Sequence, residues 1–187
     1  MNIPNILSLM RIILIPIFVG SFYLPVELSR IVASSVFLLA CLTDLLDGYL
    51  ARNLRQATKL GAFLDPVADK LIVAVALVLI VGEFGKAYLA VPAAVIVGRE
   101  IMVSALREWM AEIGKRTSVA VGFVGKIKTT AQMAAIVSFL LYKPGDHLIF
   151  FILGTFLLYI AACLTLWSMV MYIKAAWPDL TLTKSGE

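Results

Sequence analysis

Histidine and cysteine, which supply many zinc sites and catalytic centres, are almost absent from this sequence. Its 187 residues include one histidine and two cysteines. Cys41 and Cys163 both lie inside apolar runs and lack the spacing of paired thiols or of a zinc site, so we expect small buried side chains. His147 lies in the loop-like segment "KPGDH", where a solvated side chain is expected.

Charged residues are also scarce. They make up 15% of the chain, whereas 61% is hydrophobic, well above the roughly 45–50% apolar content of soluble domains. The composition therefore predicts a membrane protein, with residues 1–187 forming one domain. The net charge is +4, but the basic residues lie between apolar runs, which favours anionic lipid headgroups over nucleic acid as their partner. No basic residue or small-residue cleavage site marks the first run as a cleaved signal peptide.

Six apolar stretches are long enough to cross a bilayer as helices, which takes roughly 20 residues each. The sequence thus predicts an all-α integral membrane protein, a bundle of six transmembrane helices. The predicted spans are 6–24, 31–50, 61–81, 87–106, 119–142 and 148–173. Only Arg30, Lys86 and Lys143 of the sixteen Lys and Arg residues lie in the short connectors. The positive-inside rule then predicts that both termini and the long connectors are cytoplasmic.

Residues 104–116, "SALREWMAEIGKR", carry an apolar stripe at helical spacing and charges on the opposite side. This pattern is typical of a helix that lies in the membrane interface. A helix that caps the bundle is the alternative.

Four aspartates lie close together at the cytoplasmic ends of the second and third spans, at positions 44, 47, 65 and 69. Asp44 and Asp47 are three residues apart and Asp65 and Asp69 four apart, so each pair shares a helix face. Seventeen residues separate Asp47 from Asp65, which permits a turn and an antiparallel return. The two pairs are therefore expected to face each other at the cytoplasmic ends of two helices.

Carboxylates this close repel one another strongly unless a cation neutralises them. Arg52 alone cannot balance four of them, whereas a pair of divalent cations can. An all-oxygen ligand set fits Mg²⁺ or Mn²⁺ better than zinc, and open positions on Mg²⁺ would suit a phosphate. The alternatives are aspartates that only cap helices, or an ion or proton path. No matching acids lie deeper in the other spans, which disfavours a path.

Small residues accompany the acids at Gly48, Ala51 and Gly61. Spacing alone leaves open whether they let helices pack closely or clear space for a ligand. Pro66 would either kink the third helix or start it. Asp65 followed by Pro66 resembles an N-cap and a first helical residue, and in that case the third helix starts later than residue 61.

The segment reads D-x2-D-G-x2-A-R-x8-G-x3-D-x3-D from Asp44 to Asp69. It resembles the signature of the CDP-alcohol phosphatidyltransferase family at every motif position. The segments "IPNILSLMRIILIP", "FLDPVADKL", "GREIMVSALREWMAEIGKR" and "GKIKTTAQM" extend the resemblance over nearly the whole chain. They are similar to the bacterial members that use glycerol 3-phosphate as acceptor.

The resemblance implies a homodimeric enzyme of the bacterial inner membrane, with six spans, an N-terminal interfacial segment and a cytoplasmic active site. The implied substrates are CDP-diacylglycerol and sn-glycerol 3-phosphate, and the products are phosphatidylglycerophosphate and CMP. The implied ligands of two metal ions are Asp44, Asp47, Asp65 and Asp69, and Asp69 is also the implied base. The residues implied to receive CDP-diacylglycerol are Asp44, Asp47, Gly48, Ala51, Arg52 and Gly61. With the whole motif present, ligand space becomes the favoured role of the small residues.

The acceptor phosphate needs a basic site of its own. We expect Arg99, Arg107 and Lys126 to supply it, because they lie near the cytoplasmic ends of the fourth and fifth spans. The alternative is that they follow the positive-inside rule and bind anionic lipid. Glu100 is expected only to pair with a neighbouring base. The acidic motif does not choose among glycerol phosphate, inositol phosphate, serine and phosphatidylglycerol as acceptor.

Overall fold

The computed structural model of the protein describes residues 3–25, 28–54, 59–113, 123–143, 145 and 148–181. Side chains are described for 9–25, 28–43, 61, 64, 66–113, 125–143, 145 and 148–177. Within these ranges every regular element is a helix and none is a strand. The helices are α1 (Ile3–Phe22), α2 (Ser29–Leu54), α3 (Lys59–Phe84), α4 (Ala87–Glu112), α5 (Phe123–Leu141) and α6 (Ile149–Thr181). The predicted six helices and the all-α class are confirmed.

Two described connectors contain a glycine in a conformation that other residues rarely adopt. Gly85, between α3 and α4, has φ of 58°, and Gly145, between α5 and α6, has φ of 104°. A side chain at either φ would be strained, because its Cβ would crowd the backbone. These glycines let the chain leave one apolar helix and enter the next within a few residues.

Pro16 lies inside α1, Pro66 inside α3 and Pro92 inside α4. Of the two alternatives for Pro66, a helix start at Asp65 is wrong, because α3 begins at Lys59 and continues through Pro66. Proline removes one backbone donor, but apolar helices tolerate it where neighbouring groups compensate. Asp65 and Asp69 thus lie on one helix with Gly61.

Two described helices are long and apolar enough to cross a membrane, over Ala87–Glu112 and Ile149–Trp177. Shorter apolar helical stretches cover Leu9–Phe22 and Ser29–Thr43. Residues 104–112, predicted to lie in the interface, continue α4 without a break, and residues 114–116 lie outside the described part. Met110 from the apolar stripe is buried.

The chain divides into two compact units. Unit 1 comprises Met1–Gly85 and Ile136–Gly154. Its helices α1, α2 and α3 contact one another, and the Phe18 and Phe37 rings pack with centroids 5.8 Å apart. An aromatic cluster joins the end of α3 to the end of α5, to the residue that follows α5 and to the start of α6. It consists of Phe84, Phe139, Tyr142 and Phe151.

Unit 2 comprises Lys86–Ala135 and Thr155–Glu187. Three contacts between α4 and α6 advance together along both helices, so these helices run in the same direction. They join Tyr88 to Tyr159, Arg99 to Ser168 and Arg107 to Tyr172. That the two units form one domain stays a prediction.

Candidate active site

The acidic motif lies on two consecutive helices. Asp44 and Asp47 belong to α2, and Asp65 and Asp69 belong to α3, as the spacing predicted. Helices α2 and α3 contact each other. The side chains of Asp44, Asp47 and Asp65 lie outside the described residues, so their arrangement around a metal stays a prediction.

The remaining motif residues follow the same helices. Gly48, Ala51 and Arg52 lie in α2, and their side-chain surroundings are outside the described part of the chain. Gly61 lies in α3 and is buried. A buried glycine one turn before Asp65 and two turns before Asp69 is compatible with either close packing or ligand space.

Asp69 is held by an arginine from another helix. Nη1 of Arg11, in α1, donates to Oδ1 of Asp69. Arg11 is only 1% exposed. A guanidinium in an apolar helix is costly to bury unless it meets an acidic partner. The pair therefore couples α1 to α3 and fixes the direction of one motif carboxylate.

Arg11 was not among the predicted site residues, although its sequence setting is informative. It stands in "LSLMRIILIP", where apolar residues surround it on both sides. An ionisable residue inside an apolar helix commonly faces a partner or a functional cavity. The sequence cannot supply the identity of that partner, which lies 58 residues away.

A cluster of charged side chains lies in unit 2, on α4 and α5, and contacts polar side chains of α6. Arg99 is 8% exposed; its Nη1 donates to Oε1 of Glu100 at 3.0 Å and its Nη2 to Oγ of Ser168 at 2.8 Å. Nζ of Lys128 donates to the same Glu100 oxygen. Glu100 pairs with neighbouring bases, as expected.

Arg107 extends this cluster by two turns along α4. It donates to the hydroxyl of Tyr172, and its guanidinium carbon lies 4.7 Å from the centre of the Tyr172 ring. The guanidinium carbon of Arg99 lies 5.9 Å from the same ring centre. Tyr172 therefore brings Arg99 and Arg107 together, as their predicted shared role requires.

The two lysines of α5, the predicted Lys126 and Lys128, differ in their burial. Lys126 is exposed, whereas Lys128 is 5% exposed and paired with Glu100. Two residues correspond to about 200° around a helix, so the two lysines lie on different faces. Lys128 was missed because both lysines stand in "GKIKTT" and the sequence does not give the helix phase.

The cluster of Arg99, Glu100, Arg107 and Lys128 is called here the basic cluster. Its three positive groups and one carboxylate leave a formal charge of +2. Guanidinium and ammonium groups are the usual protein donors to phosphate. Since an isolated buried charge is costly, the Glu100 carboxylate keeps Arg99 and Lys128 in place and leaves the net charge suited to an anion.

Helices apolar enough for a bilayer, an acidic motif on two of the helices and a partly buried basic cluster are together typical of helical membrane proteins that bind a charged ligand. Within that class, the sequence profile described as CDP-alcohol phosphatidyltransferase matches residues 1–167. The chain belongs to the CDP-alcohol phosphatidyltransferase family.

Curated relatives match over almost their entire length. The chain is 58% identical to a protein of Pseudomonas fluorescens over 96% of this chain and 92% of the relative. It is 55% identical to one of Yersinia enterocolitica and 52% identical to one of Shigella flexneri, each over 96% of this chain and 97% of the relative. All three are named CDP-diacylglycerol–glycerol-3-phosphate 3-phosphatidyltransferase.

Enzymes of this family generally use divalent metal ions. The motif offers carboxylate oxygens alone, which are the ligands that Mg²⁺ and Mn²⁺ prefer. Asp69, whose side chain is described, is fixed by a partner on a different helix, as ligands to a metal commonly are. In its donor chemistry the motif fits such an ion.

Proposed function

We propose that this chain transfers the phosphatidyl group of CDP-diacylglycerol to the primary hydroxyl of sn-glycerol 3-phosphate, which yields phosphatidylglycerophosphate and CMP. The chain is an enzyme of the phosphatidyltransferase class. The observation that carries the proposal is its 52–58% identity, over 96% of its length, to relatives named for this reaction.

The acidic motif is proposed to bind the diphosphate end of CDP-diacylglycerol. Asp44, Asp47, Asp65 and Asp69 would hold two Mg²⁺ or Mn²⁺ ions, which when bound neutralise charge on the diphosphate and on departing CMP. Asp44 and Asp47 serve both the metals and the nucleotide, and Arg52 donates to the same ligand. Gly48, Ala51 and Gly61 leave space for it.

Asp69 is proposed as the base that accepts the proton of the acceptor's primary hydroxyl. The hydroxyl oxygen then forms a bond to the phosphorus that carries diacylglycerol, and the bond from this phosphorus to the CMP oxygen breaks. Arg11 fixes the direction of the Asp69 carboxylate. Most of the rate enhancement is expected to come from positioning and electrostatics.

The basic cluster is proposed to bind the phosphate of glycerol 3-phosphate. Arg99 and Arg107 are the predicted residues, and the buried, paired Lys128 joins them on structural grounds. Lys126 stays a predicted contributor, and its exposure is also compatible with binding anionic lipid.

The proposed membrane arrangement rests on the pattern of apolar and basic residues in the sequence and on the family resemblance. Six spans with cytoplasmic termini would place the acidic motif at the cytoplasmic face of the bacterial inner membrane, where the soluble acceptor glycerol 3-phosphate is available. A diacyl substrate explains the bilayer, since its tails stay in lipid while its head enters a polar site. A single domain, an N-terminal interfacial segment, an interfacial stretch at 104–116 and a homodimer complete the proposal.

One assay tests both the reaction and the acceptor. Purified enzyme with CDP-diacylglycerol is offered sn-glycerol 3-phosphate, serine, inositol phosphate and phosphatidylglycerol in competition, and CMP and lipid products are quantified. We expect CMP formation with glycerol 3-phosphate, its loss on chelation, and its recovery with Mg²⁺ or Mn²⁺. A preference for another acceptor would overturn the substrate assignment, and metal-independent turnover would overturn the metal centre.

A further inference from the structure

Unit 2 buries polar atoms that the basic cluster does not satisfy. Among the described residues, Oε1 of Gln132, Oγ1 of Thr165 and Nε of Arg99 have no hydrogen-bond partner. Gln132 is 6% exposed and Thr165 is 0% exposed. Buried polar atoms are nearly always paired, because burial without a partner is costly. Their presence beside a candidate binding site points to a ligand.

Gln132 lies one helical turn from Lys128, a member of the basic cluster. Thr165 lies one helical turn from Ser168, which accepts a hydrogen bond from Arg99. Gln132 follows Lys128 by four residues on α5, and Thr165 precedes Ser168 by three on α6. Because α4 and α6 run in the same direction, Thr165 lies on the Tyr88 side of Ser168. Consecutive spans run oppositely in the proposed topology, so Gln132 lies on that same side of Lys128. We call these two residues the inner polar layer.

The chemistry of the inner polar layer differs from that of the basic cluster. The side-chain oxygen of Gln132 only accepts a hydrogen bond, and the hydroxyl of Thr165 can donate or accept. An ionised phosphate has only acceptors and cannot satisfy Gln132. An alcohol hydroxyl can donate to Gln132 and accept from Thr165.

The dimensions of glycerol phosphate agree with a phosphate at the basic cluster and a hydroxyl at the inner polar layer. One helical turn rises about 5.4 Å, comparable with the separation between the phosphate of a glycerol phosphate and its hydroxyls. A phosphate on Arg99 and Lys128 would therefore bring a neighbouring hydroxyl to the inner polar layer. In sn-glycerol 3-phosphate the C1 hydroxyl is consumed in the reaction, which leaves the C2 hydroxyl.

We propose that Gln132 and Thr165 recognise the C2 hydroxyl of sn-glycerol 3-phosphate and thereby select the acceptor. The proposal rests on the proposed function, because it assigns these residues a place in the site of the same reaction.

The test compares two acceptors that differ in this hydroxyl alone. Initial rates of CMP release are measured with sn-glycerol 3-phosphate and with 3-hydroxypropyl phosphate, which keeps the primary hydroxyl and the phosphate. The wild type, Gln132→Leu and Thr165→Val are each compared by kcat/KM. We expect the wild type to prefer glycerol 3-phosphate about tenfold or more, since a site built for a hydroxyl rejects an analogue without it.

In each variant, kcat/KM for glycerol 3-phosphate should fall about tenfold, whereas that for 3-hydroxypropyl phosphate should change less than about threefold. Equal losses on both acceptors, or a wild type that does not discriminate, would overturn the proposal. Absence of CMP release by the wild type with glycerol 3-phosphate would instead overturn the proposed function.

Stability separates recognition from a structural role. Thr165→Val removes a buried hydroxyl that has no partner in the described part of the chain, so its Tm in detergent should equal or exceed that of the wild type. Thr129→Val is the matched control on α5: Thr129 is exposed and its hydroxyl donates to the Gly125 and Lys126 carbonyls. Its acceptor preference should match the wild type. A lower Tm for Thr165→Val, accompanied by unchanged acceptor preference, would assign Thr165 to structure and refute its part in recognition.

Discussion

The acidic motif and the basic cluster differ in how their charges are held. In unit 1, Asp69 is an acid fixed by Arg11, a buried base from a distant helix. In unit 2, Arg99 and Lys128 are bases fixed by Glu100, a central acid. Each region therefore holds at least one charged group of the candidate site with an opposite charge, and by residue type each region has a surplus of one sign. The surplus suits metal ions in the first region and a phosphate in the second.

The difference predicts different kinetic defects. Changes in the acidic motif should act on the chemical step, because its residues are proposed to lie at the reacting atoms. Changes in the basic cluster should act on acceptor binding, because its residues are proposed to bind a phosphate that does not react. Separate measurement of kcat and of KM for glycerol 3-phosphate tests this contrast.

The largest effect is expected from Asp69→Asn, which keeps the size of the side chain but removes the basic carboxylate. Loss of a positioned base should lower kcat by about 10²- to 10⁴-fold. The measurement is CMP release from CDP-diacylglycerol at saturating glycerol 3-phosphate, with Tm as the fold control. Turnover at the wild-type rate would refute the assignment of Asp69 as the base.

The next largest effect is expected from Lys128→Met, which removes a buried ammonium group. A lost charge-assisted contact should raise KM for glycerol 3-phosphate by about 10- to 150-fold while kcat changes less. Lys126→Met is the comparison on the same helix, and its effect on KM should be clearly smaller because Lys126 is exposed. An effect of Lys126→Met as large as that of Lys128→Met would contradict the preference for Lys128 and support Lys126, the residue predicted from the sequence.

A double variant separates phosphate binding from simple pairing in the basic cluster. If Lys128 serves only to neutralise Glu100, then Lys128→Met with Glu100→Gln should recover most of the wild-type activity, because the double variant removes both charges of that pair. Arg99 loses the Glu100 carboxylate in this variant but keeps the Ser168 hydroxyl as an acceptor. If Lys128 binds the acceptor, KM should stay high although Tm recovers. Recovery of both quantities would contradict the binding role.

The contrast between the regions also explains how much the sequence could predict. The acidic motif was visible because six of its eight fixed residues are acids or glycines, whose type and spacing carry the chemistry within 26 residues. The helices were visible as apolar runs separated by turn residues. Arg11 and Lys128 were not assigned, because a partner 58 residues away and the phase of α5 depend on tertiary packing.

At the start of α3, by contrast, a local sequence signal is misleading. Asp65–Pro66 has the local chemistry of a helix start, yet α3 begins at Lys59. Local preference for a boundary is weak compared with packing of a continuous apolar helix, and proline inside such a helix is tolerated. The outcome places Gly61, Asp65 and Asp69 at one-turn intervals on one helix, which favours a shared role.

A moderate effect is expected from Arg11→Lys, which keeps the charge but replaces the planar donor. If Arg11 orients Asp69, kcat should fall about tenfold while KM for glycerol 3-phosphate stays near that of the wild type. Arg11→Met should lower kcat further. A second measurement is the Mg²⁺ concentration that gives the half-maximal rate, and we expect it to rise in both variants. A change in Tm alone, with kcat retained, would assign Arg11 to structure and weaken the contrast between the regions.

The smallest effect on activity is expected at the ion pair of Arg30 and Glu83, which lies in unit 1 outside the acidic motif. Arg30 donates through Nη2 to Glu83 and through Nη1 to the Tyr142 carbonyl at 2.8 Å. It thereby joins the start of α2 to the end of α3 and to the aromatic cluster.

Arg30→Met should lower the free energy of unfolding by about 1 kcal/mol, or Tm by about 2–4 °C, and leave kcat and KM unchanged. Lys143→Met, at an exposed lysine next to Tyr142, is the matched control and should leave Tm unchanged. A kinetic defect in Arg30→Met without loss of stability would mean that charge outside both regions contributes to the reaction, and the division of labour between acidic motif and basic cluster would then be incomplete.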